Sequence, residues 1–218
     1  MELSPNLDAA HHHLGLVYTH IGLLDKALEE LRKTLAIDPG DWMAQERIAE
    51  TALLQGRYEE GFRILQTVPP EYNPPFWNFD ATWALIELGR NGDASTLIER
   101  YLHGHPEDRG GLMTGLRALV FAKQGDARRA EANIQSAIQK GKGFVHFHHT
   151  EYNIAAAYAL LRQPRASVEW LRRAAAEGWP CYPLFASDRN LDNIRSDPAF
   201  VAFLREQKAQ WERWRATL

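Results

Sequence analysis

The amino-acid sequence predicts an all-α protein, a right-handed α-solenoid of about five helical hairpins with a C-terminal capping helix. Two observations carry this prediction. First, a glycine follows an apolar, helix-compatible stretch at intervals of about 34 residues, at Gly22, Gly56, Gly89 and Gly125. Second, small and aliphatic residues recur at fixed distances from each glycine. Each glycine is therefore interpreted as the turn of one hairpin.

The small residues explain how the two helices of a hairpin can approach each other. Antiparallel helices come within about 8–10 Å only where small side chains lie at the crossing. A generic helical bundle, the alternative, shares the helical spacing of apolar residues but has no reason to repeat these positions together. The three sets are Gly15, Ala49, Thr82 and Ala118; Ala27, Gly61, Ala94 and Ala130; and Leu31, Leu65, Ile98 and Ile134. A fifth copy has Ala155, Ser167 and Leu171, with Arg162 in place of the glycine.

This pattern resembles the tetratricopeptide-repeat family. The first repeat matches best, with Leu14-Gly15, Tyr18, Gly22, Ala27, Leu31 and Pro39. Arg117 and Arg162 depart from the family pattern, at a large apolar position and at the turn glycine. The resemblance implies a solenoid over residues 1–178, with hairpins at about 7–39, 41–68, 75–104, 108–141 and 147–178.

Residues 179–218 are predicted to be a non-repeat segment ending in the capping helix. Prolines and aromatic residues from Gly178 to Phe185 argue against a helix there. A short helical turn is expected near Asn190 to Ile194, and Asp197 is expected to cap a final helix that has Pro198 at its first position. One face of that helix carries Phe200, Phe203, Leu204, Trp211 and Trp214.

The C-terminal part also resembles the repeat-bearing tails of bacterial serine/threonine kinases and adenylyl cyclases. The matching residues are Tyr152-Asn153-Ile154-Ala155, Cys181-Tyr182-Pro183 and Ile194-Arg195-Ser196-Asp197-Pro198 with Phe200. Because residues 3–6 look like the end of an earlier repeat, we expect the chain to be a fragment of a longer bacterial protein. The resemblance implies a second hypothesis, an intramolecular regulatory module of a kinase or cyclase.

Composition excludes several other functions. The net charge is −3 and the basic residues are scattered among acidic ones, so no basic stripe is expected to bind nucleic acid. No signal peptide and no apolar run of about 20 residues is found, which predicts a cytoplasmic protein without a membrane partner. Cys181 is the only cysteine, so no internal disulfide can form.

Catalytic and metal-binding patterns are weak, and the sequence predicts neither an enzyme nor a cofactor. Cys181 lies between a proline and an aromatic residue with no evident base, so it is interpreted as a half-buried structural thiol. The histidines, at 11–13 and at 146, 148 and 149, lack an obvious completing ligand and are interpreted as packing or polar residues. A metal-dependent enzyme built on them is the third hypothesis.

The leading hypothesis is a protein-interaction scaffold. In the resembled family, the first helix of each hairpin lines a concave groove that holds a protein or peptide. Since the groove carries glutamates and aromatic residues, an apolar or basic-apolar peptide suits it, with Phe79 or Trp83 as anchor. The groove residues implied by the resemblance are His12, Leu16, Thr19, His20, Glu46, Glu50, Leu53, Phe79, Trp83, Ile86, Glu87, Leu119, Lys123, Tyr152, Asn153 and Ala156.

Overall fold

The computed structural model describes residues 7–218, so the predicted end of an earlier repeat at residues 3–6 lies outside the described part. Within that part the chain is all-α, as predicted, with no strand. None of the helices between residues 7 and 218 combines the length and apolar character that crossing a bilayer requires. The helices are α1 (Asp8–His20), α2 (Leu24–Ile37), α3 (Trp42–Leu54), α4 (Tyr58–Leu65), α5 (Pro74–Glu87), α6 (Asn91–Gly104), α7 (Leu112–Lys123), α8 (Ala127–Gly141), α9 (Phe147–Leu160), α10 (Pro164–Ala176), α11 (Tyr182–Ser187) and α12 (Pro198–Thr217), with 3-10 turns at Arg109–Gly111 and Arg189–Ile194.

Helices α1 to α10 pair in chain order into five hairpins that stack on one another. The four glycines that the sequence marks as turns all have φ between +74° and +76°. This left-handed conformation costs glycine nothing, whereas other L-residues avoid it. Arg162 occupies the same place in the fifth hairpin with φ +58°, so its backbone carries the strain that glycine avoids elsewhere.

The small residues lie at the helix crossings, as the repeat pattern predicts. A Cβ atom added to Gly15 would lie 2.6 Å from Cγ of Leu31, on the partner helix. At Gly61 it would lie 2.5 Å from Cδ2 of Leu53 and 2.9 Å from the Ala49 carbonyl oxygen. All three distances are far inside van der Waals contact. Larger side chains would therefore push the paired helices apart.

The C-terminal segment contains one helix more than the sequence predicts. The interval from Gly178 to Phe185 is expected to be non-helical, but α11 begins at Tyr182. A helix can form here because Pro183 lies in its first turn, where a missing backbone N–H breaks no helical hydrogen bond. The expected turn before Ile194 is present, and the Asp197 carboxylate accepts hydrogen bonds from the N–H groups of Ala199 (2.9 Å) and Phe200 (3.4 Å).

The final helix, α12, covers the last hairpin and also reaches the first one. Phe200 and Phe203 are buried, and Arg172 of α10 pairs with Glu206 at 2.6 Å. Further along α12, the indole N–H of Trp211 donates to the carbonyl oxygen of Gly22 at 2.8 Å. The turn of the first hairpin is thus held by the last helix, which the repeat pattern alone does not predict.

Replacing Arg162 with glycine should stabilise the protein. The substitution removes the left-handed strain but adds freedom to the unfolded chain, so we expect a gain of about 0.5–1 kcal/mol in the free energy of unfolding. The matched control is Arg32→Gly, since Arg32 is exposed in the middle of α2. This variant should lose about 1 kcal/mol in the free energy of unfolding, because glycine is unfavourable inside a helix. Urea unfolding measures both. A loss of stability in Arg162→Gly would contradict the strain assigned to this turn.

Candidate interaction site

The first helices of the five hairpins lie side by side and form the inner face of the stack. The groove residues predicted from the sequence are on this face, but most of their side chains are buried. Only Leu16, His20, Glu87 and Lys123 keep part of their surface exposed. That a partner contacts these residues stays a prediction. In the structure the inner face is covered, and the covering element is part of the same chain.

The segment from Trp179 to Leu191 covers the inner face at α5 and α9. The Trp179 ring is 1% exposed and lies with its centroid 4.4 Å from that of His149, 5.3 Å from Tyr152 and 6.4 Å from Trp83. These are edge-to-face or tilted arrangements, which stabilise aromatic pairs beyond the area they bury. The predicted groove residues Trp83 and Tyr152 are therefore the walls of a site for an aromatic side chain.

Polar contacts fix the rest of this segment. The hydroxyl of Tyr152 donates a hydrogen bond to the carboxylate of Asp188, and the side-chain amide of Asn190 donates to Glu87 at 2.7 Å. Lys123 lies 3.8 Å from the same Glu87 carboxylate. Asp188 and Asn190 are both buried. The segment is thus held by specific hydrogen bonds as well as by apolar packing.

A buried charge cluster lies on α3 and α5. The Arg47 guanidinium donates to Glu50 at 2.7 Å, and both side chains are less than 10% exposed. Burial alone would raise the pKa of Glu50, but the charge of Arg47 holds it below its usual value. Burial, and then the nearby Glu50 and Glu46, raise the pKa of Asp80 well above its usual value. Sequence reasoning missed Arg47 and Asp80, although the i,i+3 spacing of Arg47 and Glu50 indicates a pair.

The histidines that the sequence presents as separate groups come together in the structure. His20, from the end of α1, meets His146, His148 and His149 at the start of α9. Histidines 11–13 behave differently: His11 pairs with Glu30 at 2.6 Å, and His12 lies 3.4 Å from Asp41. No sequence signal joins His20 to α9, because the contact depends on how the stack curves.

Cys181 is more deeply buried than expected. Its side chain is fully covered, whereas the sequence indicates a half-buried thiol. Burial raises the pKa of the Cys181 thiol to about 12. The thiolate, which is the nucleophilic form, is therefore disfavoured at neutral pH.

Replacing Glu50 with glutamine should strongly destabilise the fold. The Arg47 charge would stay buried without its counter-charge, which costs about 3 kcal/mol or more. Glu60→Gln is the matched control, because Glu60 pairs with Arg57 at 2.6 Å on the surface and should cost less than about 1 kcal/mol. Urea unfolding at neutral pH compares the two. Equal losses of unfolding free energy in Glu50→Gln and Glu60→Gln would contradict the importance of burial for the Arg47–Glu50 pair.

Glu46 should make stability depend on pH in the acidic range. Burial raises its pKa from 4.5 to about 6, while Asn73 donates to it at 2.7 Å. The unfolded chain therefore loses this proton at lower pH than the folded chain. The free energy of unfolding therefore falls as pH rises from 4.5 to about 6, by about 2 kcal/mol in total.

The variant Glu46→Gln should lack this loss, so its stability relative to the parent chain should improve as pH rises from 4.5 to 6. Urea unfolding below and above the window measures the change. Glu59→Gln serves as control, since Glu59 is exposed on α4. If the relative stability of Glu46→Gln does not change with pH, the assigned protonation is wrong.

Comparison with known proteins supports the repeat pattern in the first hairpin. Residues 9–41 match the family model of the tetratricopeptide repeat. No curated protein matches the chain by sequence. The predicted tetratricopeptide character thus has direct sequence support over this interval.

Solved structures extend the likeness to the fold of nearly the whole chain. The crystal structure of a thermophilic tetratricopeptide-repeat protein from Thermus thermophilus has a TM-score of 0.63 at 16% identity, covering 93% of this chain and 100% of that one. The Cut9–Hcn1 hetero-tetramer of the APC/C has a TM-score of 0.61 at 16% identity, over 94% of this chain and 40% of that one. The chain therefore shares the stacked-hairpin fold of tetratricopeptide-repeat proteins.

Proposed function

We propose that this chain is a protein-interaction module whose inner face binds a polypeptide segment in exchange with its own residues 179–191. The observation that carries the proposal is the site of Trp179, an aromatic side chain enclosed by residues of α5 and α9. Stacked helical hairpins present an extended concave surface, which is the surface that repeat proteins use for binding. Here that surface already holds a polypeptide of defined sequence.

The contacts of the bound segment indicate the chemistry of a partner. An aromatic anchor fits between Trp83 and Tyr152, and a carboxylate placed like that of Asp188 accepts a hydrogen bond from the tyrosine hydroxyl. A side-chain amide placed like Asn190 reaches Glu87. The partner segment is therefore aromatic and polar, and it binds in a partly helical conformation like that of residues 179–191, which contain α11 and the start of the 3-10 turn at Arg189–Ile194.

A partner must compete with the covering segment, residues 179–191, which belongs to the same chain. Because the covering segment belongs to the same chain, its effective concentration at the inner face is on the order of millimolar. A free peptide with the same contacts competes poorly against it. Partner binding consequently requires either a better anchor or a weakened intramolecular segment.

The second hypothesis, an intramolecular regulatory module, would use the same site, because a segment of the same chain occupies the inner face. The kinase or cyclase context of that hypothesis rests on the resemblance of the C-terminal part alone. In that case the exchange takes place between segments of one longer chain. The two hypotheses differ in where the competing segment lies, and both use the same site. Binding of a peptide in trans tests the site itself.

The proposal is tested with the full chain carrying Trp179→Ala and a labelled peptide of residues 177–191. Removing the tethered anchor should open its site, and aromatic truncation in a buried site weakens binding by about 2 kcal/mol or more. The peptide should therefore bind the variant at least about tenfold more tightly than it binds the parent chain. Fluorescence anisotropy of the peptide measures this difference.

Trp214→Ala is the matched control, because Trp214 lies on α12, outside the inner face. It should bind the peptide as weakly as the parent chain does. A peptide in which the tryptophan is replaced by alanine should not bind any of the three proteins. If the folded Trp179→Ala variant, checked by circular dichroism, shows no gain over the control, the inner face does not bind polypeptides in this way.

A further inference from the structure

Four histidine side chains from two distant parts of the sequence converge beside the inner face. His20 ends α1, while His146, His148 and His149 come from the start of α9. One ring nitrogen from each lies within 4.8 Å of the others. The ring centroid of His20 lies 5.3 Å from that of His148 and 5.7 Å from that of His149.

Backbone contacts orient two of these rings toward the centre of the cluster. Nδ1 of His20 lies 2.9 Å from the Leu16 carbonyl oxygen, and Nδ1 of His148 lies 3.1 Å from that of Glu177. A carbonyl oxygen only accepts hydrogen bonds, so each Nδ1 carries the proton. In the neutral rings, Nε2 then offers a lone pair, and neither Nε2 has a hydrogen-bond partner among the described residues. Metal-binding imidazoles are commonly held by this kind of outer hydrogen bond.

His149 is the most deeply enclosed member. Its side chain is 1% exposed, and neither ring nitrogen has a hydrogen-bond partner within residues 7–218. Its ring contacts, to Phe76, Phe79 and Trp179, are aromatic and leave the nitrogen atoms unused. Buried polar atoms without partners are rare and destabilise the fold. A ligand that engages these nitrogens would remove that cost.

Burial lowers the pKa of all four histidines. Desolvation, followed by the charges of neighbouring histidines, lowers the pKa of His148 to about 4 and that of His149 well below its usual value. Burial therefore favours the neutral form of these two rings. Neutral imidazole is the form that coordinates metal ions.

We propose that His20, His146, His148 and His149 form a binding site for one divalent transition-metal ion, Zn²⁺. Imidazole nitrogen suits zinc, copper, iron and nickel, whereas Mg²⁺ and Ca²⁺ take oxygen ligands. Four nitrogen ligands match the tetrahedral preference of zinc. Zn–N bonds of about 2.0–2.1 Å require ligand atoms roughly 3.3 Å apart. Because the ring nitrogens lie within 4.8 Å of one another, each has to move by less than about 1 Å toward its neighbours to reach that spacing.

The surroundings provide access from the surface to three of the four histidines. A surface cavity of about 330 Å³ leads to His20, His146 and His148 between α1 and the start of α9. Val145, at its rim, is 82% exposed. Burial lowers the pKa of His20 and of His146; the Glu50 carboxylate raises both values, whereas the Arg47 guanidinium, which pairs with Glu50, lowers them. A bound ion would link the first hairpin to the fifth.

The test uses the untagged full chain, freed of metal by dialysis against a chelator and titrated with ZnCl₂ by calorimetry. One Zn²⁺ per chain is expected. His20→Asn and His146→Asn should each raise the Kd at least about tenfold, as loss of a ligand exceeds the effect of losing an outer partner. Both residues keep some exposure, so these variants should fold. Co²⁺ titration should give the visible absorption of tetrahedral nitrogen coordination in the parent chain but not in His20→Asn or His146→Asn.

The matched control carries His11→Asn and His13→Asn, which removes histidines of the N-terminal run, and a second control carries His103→Asn from α6. Both controls should bind Zn²⁺ like the parent chain. The proposal is overturned if the parent chain binds no stoichiometric zinc or if folded His20→Asn and His146→Asn bind it unchanged. Loss of binding in the His11/His13 control would indicate an adventitious ion only, and it would overturn the proposal as well.

Discussion

The close approach of paired helices at small residues is the constraint on which the remaining structure depends. Leu31 can lie against α1 only because Gly15 has no side chain, and Leu53 lies against α4 only because Gly61 has none. Repeated through the chain, these contacts fix the spacing of successive hairpins. The curvature of the stack, and so the separation of its ends, follows from that spacing.

That curvature brings polar and charged groups into the interior. The first helices converge, so side chains that would face solvent in a flatter stack, such as Glu46, Glu50 and Asp80, lose most of their exposure. Each such group needs a partner or a shifted pKa to remain buried. Arg47 and Asn73 provide the partners, and the raised pKa of Asp80 favours its neutral form. The interior therefore contains a cluster of buried polar groups on α3 and α5.

The sequence predicts the local and periodic parts of this arrangement. The turn at Arg162 and the cap at Asp197 are readable because each depends on residues within a few positions. The helices that line the inner face are readable from the repeat. The repeat does not predict that these helices are buried, because Trp179 packs against them through contacts that do not follow the repeat. The histidine cluster is missed for the same reason, since His20 and His148 belong to different hairpins.

The hydrogen bond from Trp211 to Gly22 joins residues 189 positions apart in the chain. In an open row of repeats, each hairpin contacts only its neighbours, and the two ends fray independently. Here Pro183 and Cys181 also lie close to Gly22. Detaching the last helix exposes the turn of the first hairpin, so the free energy of opening at one end includes a contribution from the other. Opening at one end of the stack is consequently coupled to opening at the other end.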